Sequence, residues 1–234
     1  MFFRPKLAII IPTKDEEEGI TKVICSIPKE VLRNSEIIVV DASKDLTPMI
    51  AKRLGAKVIK VKKAGKGRQM KKGVKAARGN ILVFLDGDGS HPPSCIPRMI
   101  KELKKYDVVL ATLSLNKKTK DFQLKLLYSI YIPIMRKYFG LFGLKLKGDP
   151  LTGFRVMKKE TWERLKLKSN DFLIETEMNF KKDKINTMGL YWDGRAKNGR
   201  VYNKEYFYTI TPIPLYLHRR EWLYLSLIHI SEPT

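Results

Sequence analysis

The chain has 234 residues, 44% of them hydrophobic, which suits one sizeable α/β domain and argues against a disordered protein. Two cysteines without paired spacing argue against a disulfide framework or a zinc site, and no apolar run approaches the ~18 residues that span a bilayer. The formal net charge of +22 favours an anionic partner (nucleic acid, lipid headgroups or a phosphorylated substrate), although a lysine-rich solvated surface explains it equally well.

Five short aliphatic runs in the first half of the chain predict strands that are buried on both faces. These runs are Lys6 to Pro12, Glu36 to Asp41, Ala56 to Val61, Asn80 to Asp86 and Asp107 to Thr112. The helices predicted between them are Glu16 to Ser26, a segment capped by Thr47 and stopped by Gly55, Arg68 to Ala77, and Ser94 to Lys105. This alternation implies βαβ units and a mostly parallel sheet, whose ligands bind at the carboxyl ends of the strands.

The second half begins with an aromatic and aliphatic stretch, Phe122 to Leu146, that several lysines and arginines interrupt. It predicts one or two amphipathic helices on a membrane surface, with a buried helical hairpin as the alternative. Further predicted elements are a strand at Gly153 to Met157, helices at Thr161 to Leu165 and Phe172 to Lys182, and a strand at Ile185 to Trp192. The last ten residues, 225–234 (LSLIHISEPT), are typical of sequencing-adapter read-through, so we treat them as a non-native tail.

An acidic motif, Asp86-Gly87-Asp88, follows the fourth predicted strand directly. In extended backbone residues i and i+2 point the same way, so Asp86 and Asp88 can present both carboxylates to one side, while Gly87 lets a ligand approach. Two such oxygen donors suit Mg²⁺ or Mn²⁺ bridging to a diphosphate, although a solvated Asp/Gly turn gives the same pattern. We read the neighbouring His91, which precedes two prolines, as a turn residue.

Polar residues also follow the first three predicted strands. Asp41 ends the second strand, where its carboxylate can accept a hydrogen bond from a uracil or guanine ring N–H, or simply form a turn. Residues 12–16 place polar groups and a helix N-terminus beside the same cleft. The sequence from Gly65 to Arg68 offers glycines and cations to phosphate, but the GxGxxG fingerprint of dehydrogenases is absent, so we reject that reading.

Together these motifs resemble family 2 glycosyltransferases, and among them the dolichyl-phosphate mannose synthase-like branch. The matching segments, in order, are Ile11 to Glu16 (IPTKDE), Val39 to Thr47 (VVDASKDLT), Phe84 to Pro93 (FLDGDGSHPP), Asp149 to Arg155 (DPLTGFR) and Ile174 to Met178 (IETEM). The resemblance implies an α/β fold of the GT-A type in a single domain over residues 1–224, with a donor-binding half (1–112) and an acceptor or membrane-interface half (113–224). Ala42 and Ser90 depart from the family pattern.

The resemblance also implies roles for individual residues. Donor-binding residues are Pro12, Thr13, Glu16, Asp41, Ser43, Gly65, Lys66, Asp86, Gly87 and Asp88, of which Asp86 and Asp88 also hold the metal, Mg²⁺ or Mn²⁺. Catalytic residues are Asp86, Asp88 and Arg195. The acceptor-binding residues that lie in matching segments are Thr152, Gly153, Phe154 and Glu177. The arginines that the family has near the acceptor phosphate are not evident between Leu113 and Lys147, and we expect Lys125 and Arg136 to bind the acceptor in their place.

The expected reaction transfers mannose or glucose from a GDP- or UDP-sugar to a polyprenyl phosphate, with inversion, by a peripheral protein at the cytoplasmic membrane face. A hydroxyl acceptor needs a carboxylate base, whereas a phosphate is already anionic. The chain lacks the ED dipeptide that supplies this base in the family, although Asp149, Glu175 and Glu177 remain as alternatives. Two other readings stay open: the same core acting on a saccharide or soluble hydroxyl, and a basic module that binds nucleic acid or membrane. We expect no nucleic acid partner.

Overall fold

The structure is a computed structural model that describes residues 6–114, 129–130, 132–141, 152–181, 186–193 and 201–209. Its strands are β1 (Leu7–Thr13), β2 (Ser35–Asp41), β3 (Lys57–Lys60), β4 (Ile81–Phe84), β5 (Val108–Ser114), β6 (Arg155–Lys158), β7 (Asn186–Asp193) and β8 (Val201–Thr209). Its helices are α1 (Glu17–Cys25), α2 (Lys29–Leu32), α3 (Thr47–Arg53), α4 (Lys66–Ala76), α5 (Ile96–Glu102), α6 (Ile132–Leu141), α7 (Lys159–Leu165) and α8 (Leu173–Phe180). A short 3₁₀ turn, Pro93–Cys95, precedes α5.

The described strands form one sheet in the order β3-β2-β1-β4-β6-β5-β7-β8. Four of the seven pairings among these strands are parallel, which confirms the predicted mostly parallel sheet. β1 lies between β2 and β4, and its aliphatic residues are fully buried. Ile9 and Ile11 pack into one hydrophobic cluster, while Ala8 and Ile10 pack into another on the opposite face. The prediction of strands covered on both faces is therefore confirmed for β1.

Strand β6 lies between β4 and β5 and runs antiparallel to both, so the five predicted strands are not contiguous in the sheet. Phe84, the last residue of β4, pairs with Arg155, the first residue of β6. This register brings residues 152–154 to the carboxyl end of β4, where the Asp86 motif begins. The position of β6 therefore connects the second half of the chain to the acidic motif.

Helix α3 shows how the loops after β1 and β2 are joined. Thr47 is the first helical residue and not the predicted N-cap, a position that Leu46 takes. Asp45 Oδ1 accepts hydrogen bonds from the Thr47 backbone N–H (3.0 Å) and hydroxyl (2.6 Å). The Thr47 hydroxyl oxygen in turn accepts the backbone N–H of Glu16 at 2.8 Å. Helix α3 ends at Arg53, and Gly55 follows it with a φ of 85°, as the sequence predicts for the stop of this helix.

Helix α6 is the described part of the aromatic and basic stretch between Phe122 and Leu146 for which the structure gives a helix of more than one turn. Ile134 and Leu141 on this helix are 59% and 76% exposed. Within the described part of the chain, no helix is long and apolar enough to cross a bilayer. The predicted membrane-facing arrangement of residues 122–146 lies mostly outside the described residues, as do Lys125, Arg195 and the tail from residue 225 onward.

Candidate active site

Asp86 lies just beyond the carboxyl end of β4 and pairs with a buried lysine. The Nζ atom of Lys66, the first residue of α4, is 2.7 Å from Asp86 Oδ1 and 2.7 Å from Glu175 Oε1. The side chains of Lys66, Asp86 and Glu175 are 10%, 24% and 0% exposed. Burial lowers the pKa of Lys66, but the charges of Asp86 and Glu175 outweigh it and hold this pKa above its usual value. Lys66 is therefore a fixed ammonium ion at the end of β4.

Gly153 closes this group from the side of β6. A Cβ atom at this position would overlap the Asp86 carboxylate and come within 2.6 Å of Lys66 Nζ. Any larger residue here would have to displace one of these two side chains, and glycine avoids this. The structure therefore brings Gly153, which the sequence assigns to the acceptor side, into direct contact with Asp86 on the donor side.

Asp88 and Glu16 form the open part of the same acidic group. Asp88 is exposed, and its Oδ1 atom accepts the backbone N–H of Ser90 at 2.8 Å. Partial burial and the negative charges of Asp88 and Asp86 raise the pKa of Glu16 to about 7. Negative charge is thus concentrated where β1 and β4 end, and this is a favourable place for a divalent cation.

A second polar pocket lies at the carboxyl ends of β1 and β2. Asp41 is buried, and its Oδ1 atom accepts hydrogen bonds from the Thr13 hydroxyl (3.0 Å) and the Ser43 hydroxyl (2.6 Å). Asp41 Oδ2 is buried and has no hydrogen-bond partner among the described residues. A buried carboxylate oxygen without a partner is costly, so this atom is suited to accept a hydrogen bond from a ligand.

Thr13 joins the two pockets. Its hydroxyl contacts Asp41, and a Cβ atom at Gly87 would lie 2.9 Å from its Cγ2 atom and 3.3 Å from Glu16 Cγ. The predicted residues Thr13, Glu16, Asp41 and Gly87 therefore lie side by side at one edge of the sheet. Pro12 precedes Thr13 on β1 and is half-buried.

The glycines before and within α4 accommodate protein backbone. Cβ atoms at Gly65 and Gly67 would overlap the carbonyl oxygens of Asn170 and Ser169, at 2.5 Å in each case. The Gly67 N–H donates to the carbonyl of Asp171 at 3.1 Å, and the Arg68 N–H donates to that of Asn170 at 2.9 Å. The start of α4 is therefore engaged by the 169–171 loop.

Glu177 of α8 holds the same loop. Its carboxylate accepts the backbone N–H groups of Lys168 at 2.9 Å and Ser169 at 2.7 Å, and it pairs with Lys181 at 3.3 Å. Partial burial raises the pKa of Glu177, but these amides and Lys181 outweigh the burial and hold this pKa below its usual value. In the structure this carboxylate stabilises a loop that packs against α4.

The sequence predicts that His91 is a turn residue, and in the structure its ring also lies beside the acidic motif. Its Nδ1 atom lies 3.7 Å from Asp86 Oδ2, and its Nε2 atom lies 3.3 Å from the Thr152 hydroxyl. Thr152 donates its hydroxyl to the carbonyl of Ala111 at 2.7 Å. The ring of Phe154, which is fully buried, meets His91 edge-on at 5.7 Å. His91 thus links Asp86 to the segment before β6.

Sequence reasoning missed Gln69, which braces the site from α4. Its side-chain N–H₂ donates to the carbonyls of Thr13 (2.8 Å) and Val40 (2.7 Å), and its Oε1 atom accepts the Gly65 N–H at 3.1 Å. Gln69 is an uncharged amide on the apolar face of a helix that is otherwise rich in lysine and arginine, and this feature could have indicated its role. Arg136 lies on α6, and its side chain is outside the described part of the structure.

The described residues contain no group of three or more His, Cys, Asp or Glu side chains arranged to hold a metal ion. Magnesium-type sites are commonly built from one or two carboxylates, with phosphate and water oxygens completing the coordination. Asp86 and Asp88 fit that kind of site, because they are two carboxylates at the end of β4 and Asp88 is exposed.

Comparison with known proteins finds two relatives that act on dolichyl-type phosphates according to their names. The chain is 29% identical over 187 residues to the dolichol-phosphate mannosyltransferase of Pyrococcus furiosus, covering 75% of this chain and 53% of that protein. It is 33% identical over 104 residues to the dolichyl-phosphate hexose transferase of Haloferax volcanii, covering 44% of this chain and 46% of that protein. The chain therefore spans about half the length of these relatives.

Among solved structures, a glucosyl-3-phosphoglycerate synthase from Mycobacterium tuberculosis, in complex with Mn²⁺, UDP and glucosyl-3-phosphoglycerate, matches with a TM-score of 0.62. The match has 20% sequence identity and covers 86% of this chain and 73% of that one. This likeness confirms the expected GT-A fold. The model described as "Glycosyl transferase family 2" matches residues 8–165, more than half of the 234-residue chain. The protein therefore belongs to glycosyl transferase family 2.

Proposed function

We propose that the protein transfers a hexose, mannose or glucose, from a UDP- or GDP-sugar to a polyprenyl phosphate at the cytoplasmic face of the membrane, with inversion at the anomeric carbon. One observation carries the donor half of this proposal. The acidic group of Asp86, Asp88 and Glu16 lies at the same sheet edge as the Asp41 carboxylate oxygen that has no partner among the described residues, and Thr13 lies between them. One end of that edge suits a base and the other suits a metal-bound diphosphate.

The base would lie against Asp41. The Oδ2 atom of Asp41 is positioned to accept the ring N–H of uracil or guanine, while Thr13 and Ser43 hold Oδ1 and thereby fix the carboxylate. Both bases present such an N–H, so this contact is common to the two classes of donor. Pro12 and Glu16 would border the same nucleoside.

Asp86 and Asp88 would hold Mg²⁺ or Mn²⁺ together with the donor. When bound, the metal supplies positive charge that stabilises the departing nucleoside diphosphate. The ammonium of Lys66 adds a second, permanent positive charge beside Asp86. The Mycobacterium tuberculosis structure is a complex with Mn²⁺ and UDP, and this supports the choice of metal.

The state of two carboxylates favours a phosphate acceptor. A hydroxyl acceptor must lose a proton to a base during attack, whereas a phosphate oxygen is already a nucleophile. Glu175 is fully buried and paired with Lys66, and Glu177 is occupied by backbone amides that keep its pKa low. Neither of these two carboxylates is placed to remove a proton from an acceptor, and the third alternative, Asp149, lies outside the described residues. The names of the two relatives support a dolichyl-type phosphate.

Lys125 and Arg136, from the aromatic-basic stretch, are proposed to bind the acceptor phosphate, and Arg195, from a late segment that resembles the family pattern, is proposed to bind the diphosphate. Thr152 and Gly153 would border the reacting centre, because Gly153 contacts Asp86. An acceptor oxygen that approaches from the side opposite the diphosphate inverts the anomeric carbon. The net charge of +22 suits both an anionic lipid and an anionic membrane surface.

A second candidate, a soluble phosphate-bearing acceptor, is favoured by the structural neighbour, which is a complex with glucosyl-3-phosphoglycerate. Radiolabelled UDP-glucose and GDP-mannose, each with Mn²⁺, would be incubated with detergent-dispersed polyprenyl phosphate, with 3-phosphoglycerate, or with a neutral saccharide. We expect label to enter the lipid only. Transfer to 3-phosphoglycerate would replace the lipid with the soluble acceptor, and transfer to the saccharide would refute the proposed acceptor class.

A further inference from the structure

The Lys66 ammonium occupies one oxygen of the carboxylate that is proposed to hold the metal. The distance from Lys66 Nζ to Asp86 Oδ1, 2.7 Å, is that of a charge-assisted hydrogen bond. A divalent cation that approaches Asp86 therefore meets a carboxylate whose charge is partly offset, with the Lys66 ammonium beside it. The ammonium acts as a competitor for the metal at this oxygen.

The ammonium is held in place from several directions. Glu175 lies 2.7 Å from Nζ on one side, and the Phe172 ring centroid lies 5.6 Å from it. The backbone that carries Lys66 is fixed, because the next two amides donate to the carbonyls of Asp171 and Asn170. Gly153 leaves no free space next to the pair. Lys66 is thus a built-in cation and not a mobile surface lysine.

We propose that Lys66, positioned by Glu175, makes metal binding at Asp86 depend on the donor diphosphate. Without nucleotide, the ammonium weakens binding of the free metal ion. The diphosphate brings negative charge that attracts both the metal and the Lys66 ammonium. The metal and the diphosphate therefore bind cooperatively. Such coupling is reciprocal, and typical values are about 5- to 150-fold in affinity. This inference rests on the proposed donor site.

Glu175 has a positioning role in this scheme. Its carboxylate is fully buried, so an unpaired charge at that place would be strongly unfavourable. The pairing with Lys66 therefore fixes both the side chain of Glu175 and the location of the ammonium. The sequence motif around Glu175 gave no indication of this partner.

The test measures Mn²⁺ binding to the metal-free protein by electron paramagnetic resonance, with and without saturating UDP or GDP. For the wild-type protein, we expect weak binding of Mn²⁺ alone and about 100-fold tighter binding with the matching nucleotide. For Lys66→Met, we expect Mn²⁺ alone to bind about tenfold more tightly and the enhancement by nucleotide to fall below about fivefold.

Two further variants keep the test decisive. Lys75→Met removes the same charge from an exposed position of α4 and should leave Mn²⁺ binding unchanged. Lys66→Met leaves Glu175 buried without its ammonium, so the double variant Lys66→Met/Glu175→Gln removes both charges and should also bind free Mn²⁺ more tightly. Circular dichroism establishes which variants are folded. If Lys66→Met does not fold, the double variant takes its place in the Mn²⁺-binding test.

Free Mn²⁺ binding in the folded variants that is no tighter than in the wild-type protein would overturn the inference. If the wild-type protein still bound Mn²⁺ with nucleotide, the proposed donor site would stand and only the role of Lys66 would fail. Failure of the wild-type protein to bind Mn²⁺ with either nucleotide would overturn the donor site and this inference together.

Discussion

Gly153 lies against the carboxylate of Asp86 so closely that a methyl group at its Cα would overlap both carboxylate oxygens. These two residues come from distant parts of the chain, and the antiparallel insertion of β6 beside β4 brings them together. The contact limits where the Asp86 carboxylate, which pairs with Lys66, can lie. The conformation of the acidic motif therefore depends on the segment that precedes β6.

Gly153→Ala tests this dependence. The added methyl group must displace Asp86 or Lys66, so we expect metal-dependent binding of the nucleotide to weaken by at least about tenfold, or ~1.4 kcal/mol. Isothermal titration with Mn²⁺ and UDP or GDP measures it. Gly55→Ala is the control, since nothing lies within 4 Å of a Cβ there. Its positive φ costs about 1 kcal/mol of stability but should not change binding. Equal binding by both variants would show that the contact is unimportant.

Asp41→Asn tests the proposed base contact. The amide keeps the size of the side chain and an acceptor for Thr13 and Ser43, but it puts an N–H₂ group where Oδ2 faces the ligand. Two donors would then oppose each other, and we expect nucleotide affinity to fall by about 10- to 100-fold. Asp107→Asn, on the surface beside Arg164, should have no effect in the same titration. Unchanged affinity in Asp41→Asn would place the base elsewhere.

Gln69→Leu tests the brace behind the site. It removes three hydrogen bonds, two buried ones to Thr13 and Val40 and a partly buried one to Gly65, and leaves these backbone groups short of a partner. We expect a loss of about 2 kcal/mol in the free energy of unfolding, which lowers Tm by about 4–8 °C in a chain of this size. Urea and thermal unfolding measure both. Lys72→Leu, at an exposed position of α4, is the matched control and should change stability little.

Glu16 predicts a pH dependence of stability in the metal-free protein. Its pKa rises from 4.5 to about 7 on folding, because of burial and the charges of Asp88 and Asp86. The folded state therefore keeps this proton to higher pH than the unfolded state, and the stability associated with it is lost as pH rises from about 4.5 to about 7. Glu16→Gln does not lose stability in this way, because glutamine does not titrate. In urea unfolding with a chelator present, Glu16→Gln should match the wild-type protein at pH 4 and exceed it at pH 8. A constant difference between the two proteins across that range would contradict the assignment.

Much of the sheet was predictable from local patterns. Aliphatic runs indicated β1 to β5 to within a few residues at each end, and the acidic motif after β4 indicated the edge where ligands bind. The strand at β6 was also predicted, but its pairing was not, because hydrophobic periodicity carries no information about which distant strand is the partner. The four-residue helix α2 was too short to show a helical period, and β8 was not predicted.

The partners of charged residues were beyond sequence reasoning. The chain has 46 lysines and arginines, so composition does not single out Lys66. Its role depends on Asp86 and Glu175, which lie on other elements and meet it only in the folded chain. The glycines around Lys66 suggested contact with phosphate, whereas Gly65 and Gly67 make room for the 169–170 backbone. Glycine indicates close approach, but the sequence does not identify the group that approaches.

The most direct test of the account is isothermal titration of the protein with UDP-glucose and GDP-mannose, in the presence of Mn²⁺ and in the presence of a chelator. We predict that one donor binds in a Mn²⁺-dependent manner, and that Asp88→Ala loses this binding and all donor turnover while it keeps the wild-type circular dichroism spectrum. Equal donor binding with and without Mn²⁺, or near wild-type turnover in Asp88→Ala, would contradict the assignment of Asp86 and Asp88 to a metal-bound diphosphate.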